Sequence, residues 1–104
     1  MKVKNQKEQK KDEFRKNNSK RLKGHPVYIY AKEGNDYKFI GITHAEITQG
    51  VKNIKLDKNP NPKDTRNAYA KPKAQKEKTS NFGKKLEGWK LSNKDKTKLN
   101  KIKK

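Results

Sequence analysis

No cysteine occurs in this chain, which excludes a disulfide framework and a thiolate metal site. No apolar run approaches the ~20 residues of a membrane-spanning helix. The amino-terminal stretch lacks the apolar segment of a secretory signal, since Val3 is its only aliphatic residue before Leu22. A cytoplasmic protein is the expectation. Only 27% of the 104 residues are hydrophobic, so a single domain with a small core is the most the chain can build. Acids are scarce as well: 11 Asp and Glu stand against 30 Lys and Arg, leaving a net charge of +19. Neither a Gly-rich phosphate loop nor a Ser nucleophile motif is present. Two histidines with the scattered carboxylates Glu46, Asp57 and Asp64 lack the spacing of a coordination sphere. No metal and no cofactor is implied.

What the chain does have is cationic charge, unevenly placed. Residues 1–24 carry ten basic and three acidic side chains, residues 25–70 seven and five, and residues 71–104 thirteen and three. The centre is nearly neutral and the two ends hold the load, a layout suited to a polyanionic partner.

The centre also holds the densest β-branched and aromatic stretch, His25 to His44. Glu33-Gly34-Asn35-Asp36 supplies residues that tolerate positive φ and close a tight turn. Two extended runs around it predict an antiparallel hairpin. Val27, Ile29 and Ala31 then face one side and Tyr28 and Tyr30 the other. Ile40 and Ile42 share a face opposite Tyr37, Phe39 and Gly41. Neither face is cleanly polar, so both are partly covered, the habit of a small curled sheet or barrel.

Around the hairpin, residues 1–24 read as a basic arm, disordered or loosely helical, because Phe14 alone gives a helix no buried face. Residues 45–50 suit one helical turn. Val51–Leu56 alternates as a third strand, and Asn67–Lys71 suits a short fourth strand ending before Pro72. The tract near 71–85 reads as a Lys-rich loop. Ser92-Asn-Lys-Asp95 is a capping-box pattern that starts a terminal helix over about 93–102. The expectation is an α+β, mainly β fold: 4–5 short strands in a core over 25–91, with a C-terminal helix in 92–104.

Two chemistries follow. Lys20, Arg21, Lys23, Arg66, Lys71, Lys73, Lys84 and Lys85 are candidates to follow a phosphate backbone, with Lys76 and Lys78 in the same tract. Tyr69, with Tyr28, Tyr30, Tyr37 and Trp89, offers flat faces for unpaired bases, though core packing is the favoured role of each. The hairpin also brings His25 and His44 to the same end, with Thr43 beside them. Two imidazoles on a basic surface match acid–base cleavage of RNA, one removing the 2′-hydroxyl proton and the other protonating the leaving oxygen. The competing reading is two polar residues at strand ends.

His25-Pro-Val-Tyr-Ile-Tyr30, then Phe39-Ile-Gly-Ile-Thr-His44 and Ile54-Lys-Leu56, resemble the centre of the MazF/PemK-like toxins. The resemblance covers about a third of the chain. It implies an SH3-like barrel and metal-independent cleavage of single-stranded RNA in a toxin–antitoxin pair. In that family an Arg-Pro opens one strand and Pro-Ile-Thr or Pro-Leu-Ser ends a later one. By position His25 stands for the Arg, Thr43 for the hydroxyl, and Gly41 replaces the Pro. Three functions therefore stand: a nucleic-acid-binding module, RNA or single strands favoured; an endoribonuclease using His25, Thr43 and either His44 or Arg66; and an interaction protein for an acidic partner.

Overall fold

The computed structural model describes residues 8–20 and 22–102. Arg21 and the first seven residues of the expected arm lie outside them. Strands β1 (Glu8–Asn17), β2 (His25–Glu33), β3 (Asp36–Thr43), β4 (Ile47–Thr48), β5 (Val51–Lys52), β6 (Ile54–Lys55), β7 (Tyr69–Lys78) and β8 (Phe82–Lys85), the last two joined by a 3₁₀ turn at Thr79–Asn81, precede the α-helix α1 (Asn93–Ile102). Antiparallel pairing gives a sheet ordered β6-β7-β3-β2-β1-β8, and β4 and β5 form a separate ribbon.

The predicted hairpin is β2–β3. Glu33 pairs with Asp36 across a Gly34-Asn35 turn, and Gly34 takes the positive φ of 60° that the turn demands. The two faces divide as the alternation predicts. Tyr28, Ile40 and Ile42 belong to one core cluster, and Val27, Ile29 and Phe39 to another.

The sheet is rolled into a half-barrel. β1 and β7 are separated by two strands, about 14 Å in a flat sheet. Nevertheless Asn17 in β1 donates its side-chain amide to Glu77 in β7 at 3.2 Å. Phe82 on the β8 border packs edge-on against Tyr37 and Phe39 of β3, with ring centroids 5.1 and 5.3 Å apart. The concave face thus encloses Leu22, Val27, Ile29 and Phe39. The convex face is covered by Leu56, Leu91 and Leu99, the last from α1.

The arm expectation fails over residues 8–17, which form β1 between β2 and β8. Its reason is long-range. Phe14 is buried between Tyr28 and Trp89, at centroid distances of 5.1 and 5.6 Å. The strand's acids also find cross-sheet partners: Glu8 with Lys38, and Asp12 with Lys96 and the Tyr28 hydroxyl. A single apolar residue that finds two aromatic neighbours anchors a strand that local periodicity could not reveal.

Likewise, β7 does not stop at Pro72 and the Lys-rich loop is largely strand. Ile40 pairs with Ala74 and Ile42 with Ala70, so the residues around Pro72 bulge out of the ladder. There its missing N–H interrupts nothing. The helical turn expected at 45–50 is instead the β4–β5 ribbon, turned by Gln49 and Gly50 with φ of 50° and 79°. The single strand expected at 51–56 is broken at Asn53. Its buried amide donates to Ala45 O at 2.9 Å and Thr48 Oγ1 at 2.8 Å, diverting the chain from one sheet to the other.

Helix α1 begins where the capping pattern places it. Ser92 Oγ accepts the Asp95 N–H at 3.2 Å. Asp95, however, turns away from the cap: fully buried, it accepts the backbone N–H groups of Asp57 and Lys58 at 2.7 and 3.2 Å.

Candidate nucleic-acid interface

The β2–β3 register ends on Val27 opposite Gly41. Two residues further along each strand, His25 comes opposite Thr43, with His44 just beyond. All three line one recess of about 140 Å³, together with Asn59, Asp64 and Trp89. His25 and Thr43 also border a neighbouring hollow of about 410 Å³, whose cation is Lys71. Gly41 makes room for that lysine. A Cβ built on Gly41 would lie 3.2 Å from the Lys71 Cδ, so the lysine stem runs across the bare backbone.

His44 is held at both ring nitrogens. Nδ1 lies 3.1 Å from the Asn67 carbonyl oxygen, and Nε2 lies 3.4 Å from Asp64 Oδ2. The carbonyl and the carboxylate are both acceptors, so each ring nitrogen faces a hydrogen-bond acceptor. Asp64 in turn receives the Arg66 guanidinium through Nε at 3.0 Å and Nη2 at 2.8 Å, plus the Arg66 backbone N–H at 2.9 Å. Those hydrogen bonds hold its carboxyl well below the usual carboxylate range against the opposing effect of desolvation, with lesser help from the charges of Arg66 and His44. The His25 ring has no hydrogen-bond partner among the described residues.

These groups sit on a loop whose sequence dictates its shape. Asn59 Oδ1 accepts the Asn61 N–H, Asn61 Oδ1 the Lys63 N–H, and Asp64 Oδ1 the Arg66 N–H. Three successive side-chain turns of this kind, stiffened by Pro60 and Pro62, fix the backbone without sheet or helix.

The remaining predicted residues fall into separate places. Lys20 and Lys23 are exposed on the β1–β2 connection, from which Leu22 reaches the hollow that Lys71 borders. Tyr69 pairs with Thr43 across β7–β3, and Lys73 is exposed in the β7 bulge. Arg66 is present at the site but bound to Asp64. Lys84 and Lys85 are exposed on β8 and are not brought to the recess; Lys85 lines a different hollow with Asp12 and Lys96. Tyr28 and Tyr37 are committed to packing: Tyr28 is buried and Tyr37 meets Phe82 edge to face, with the Arg15 guanidinium 5.5 Å from its ring.

Trp89, named from the sequence as a possible face for a base, lies on the recess wall, whereas sequence reasoning gave Asn59 and Asp64 no place there. The Asn-Pro-Asn-Pro-Lys-Asp run was a signal for an ordered loop, but nothing local says where that loop lies. Among the described residues, no group of three His, Cys, Asp or Glu side chains gathers to hold a metal ion, and no helix is long and apolar enough to cross a membrane. Comparison with protein-family models, curated proteins and solved structures gives no match to this chain.

Proposed function

We propose that this chain binds RNA or another single-stranded nucleic acid at the end of the half-barrel where β2 begins and β3 ends. The observation that supports this most is the convergence of His25, Thr43 and His44 on one recess, with Lys71 on the adjoining one. A net charge of +19 draws phosphates to the surface, each contact releasing condensed counterions. The recess is far too small for a duplex, whose major groove alone is about 12 Å wide. Anisotropy titrations with a labelled single-stranded RNA test the reading. Log affinity should fall linearly with log salt, with a slope of about −0.7 for each phosphate contacted. An absence of binding in dilute buffer overturns it and favours the acidic protein partner.

A second reading, metal-independent endoribonuclease activity of the MazF/PemK-like kind on an SH3-like barrel, draws on the same recess. His25, whose ring has no hydrogen-bond partner among the described residues, takes the 2′-hydroxyl proton. The 2′-oxygen then bonds to phosphorus, the bond from phosphorus to the 5′-oxygen breaks, and the His44 ring, its Nε2 turned from Asp64 to the leaving group, protonates that oxygen. The products are a 2′,3′-cyclic phosphate and a 5′-hydroxyl. Thr43 Oγ1 accepts the Ala45 N–H at 3.2 Å, leaving its hydroxyl proton for a phosphate oxygen. RNA incubated with the protein in chelator should be cut, and His25→Ala and Thr43→Ala should each suppress cutting. No cleavage, or cleavage unchanged in both variants, removes this second reading and leaves binding untouched.

A further inference from the structure

Trp89 is the only tryptophan of the chain, and it serves two surroundings. Its ring packs against Phe14 in the convex core. The same residue lines the recess that holds His25, Thr43 and His44, where Pro26 and Ile42 supply further apolar wall. At about 140 Å³, the recess holds the volume of about five waters at ~30 Å³ each, the scale of a single planar ring system.

The polar groups on its wall are mostly spent. Asp64 is saturated by Arg66 and His44. Asn59 accepts the Asn61 N–H and donates to the Arg66 carbonyl at 3.0 Å. His44 is occupied at both nitrogens. A ring entering here meets Trp89 and the apolar Pro26 and Ile42, and few unengaged donors or acceptors that could read its edge.

We infer that the recess is a pocket for one unpaired nucleobase, stacked on Trp89, which requires a base and does not choose among them. The inference rests on the nucleic-acid reading above. Stacking tolerates every base because each has a π-face, whereas discrimination needs hydrogen bonds to base edges. A base lodged against Trp89 leaves its phosphate at the rim formed by His25 and Thr43, beside the Lys71 hollow. The pocket therefore sets the register of the strand and the lysines supply the charge.

The intrinsic fluorescence of Trp89 reports occupancy directly. Wild-type protein is titrated at low salt with short RNAs of each base, with the same RNA carrying an abasic nucleotide at every position, and with a duplex. Expected are saturable quenching by all the single strands, affinities within about tenfold of one another, and an abasic loss of about tenfold or more without quenching. The duplex should bind without quenching. Trp89→Phe, which keeps an aromatic ring in the core, should bind RNA several-fold more weakly while its slope against salt stays unchanged. If wild-type protein binds RNA but Trp89 does not respond and the abasic strand binds equally, the pocket is wrong and the nucleic-acid reading survives. A preference for one base beyond about a hundredfold overturns the claim of indifference. If no strand binds, both fall.

Discussion

The Asp95 carboxylate and the Asp57 backbone N–H meet at 2.7 Å, so the first turn of α1 fastens the start of the loop that carries Asn59 and Asp64. The carboxylate is fully buried and also holds the Lys58 N–H. Removing it leaves two backbone donors without their partner. Asp95→Ala should cost about 2–3 kcal/mol in urea unfolding. Asp95→Asn keeps one acceptor oxygen and should cost less. Equal stability of Asp95→Ala and wild type would show that the clamp is dispensable.

Phe14 distinguishes a strand from a tail. It is 1% exposed between Tyr28 and Trp89, so Phe14→Ala should lose about 3–5 kcal/mol by the same measurement. A flexible arm would lose almost nothing on that change.

How far the sequence reveals this molecule depends on how far apart the interacting residues lie. The β2–β3 hairpin is local: Gly34 and the alternation of Val27 to Ile29 against Phe39 to Ile42 specify turn and register together. That register alone suffices to bring His25, Thr43 and His44 to one end. β1 depends on Phe14 meeting Tyr28 and Trp89, and a window centred on Phe14 holds only polar neighbours. Pro72 reads as a strand stop because the bulge that accommodates it exists only against β3. Asn59 and Asp64 reach the recess on one loop and Trp89 on another, by tertiary packing that no spacing encodes.

Acid should weaken the site's framework. The Asp64 carboxyl is held below its ordinary value, chiefly by the Arg66 hydrogen bonds. A depressed carboxylate contributes stability above its unfolded value of about 4, and that contribution is lost as pH falls through the folded value. Asp64→Asn should therefore flatten the acid limb of the stability curve and reduce its sensitivity to salt, as followed by thermal melts from neutral pH downward.

At the other extreme, Tyr28 should be the last tyrosine to ionise. Burial raises its pKa most, and the neighbouring Asp12 charge and hydrogen bond raise it further. A phenol whose folded value lies above the unfolded value of about 10 contributes stability below that pH and loses it as pH rises toward the folded value. In an absorbance titration, Tyr28→Phe should remove the phenolate signal that appears latest. Tyr30, raised less and also by burial first, should ionise before it. If the latest signal persists in Tyr28→Phe, the burial argument fails.

The central claim is that position, and not charge alone, makes the barrel end the nucleic-acid surface. Salt-dependent RNA affinity of Lys71→Ala compared with Lys85→Ala tests it most directly, because the two changes remove the same charge at different places. The account predicts that Lys71→Ala weakens binding and lowers the salt slope by about 0.7, while Lys85→Ala leaves both near wild type. Equal losses in the two variants would contradict it.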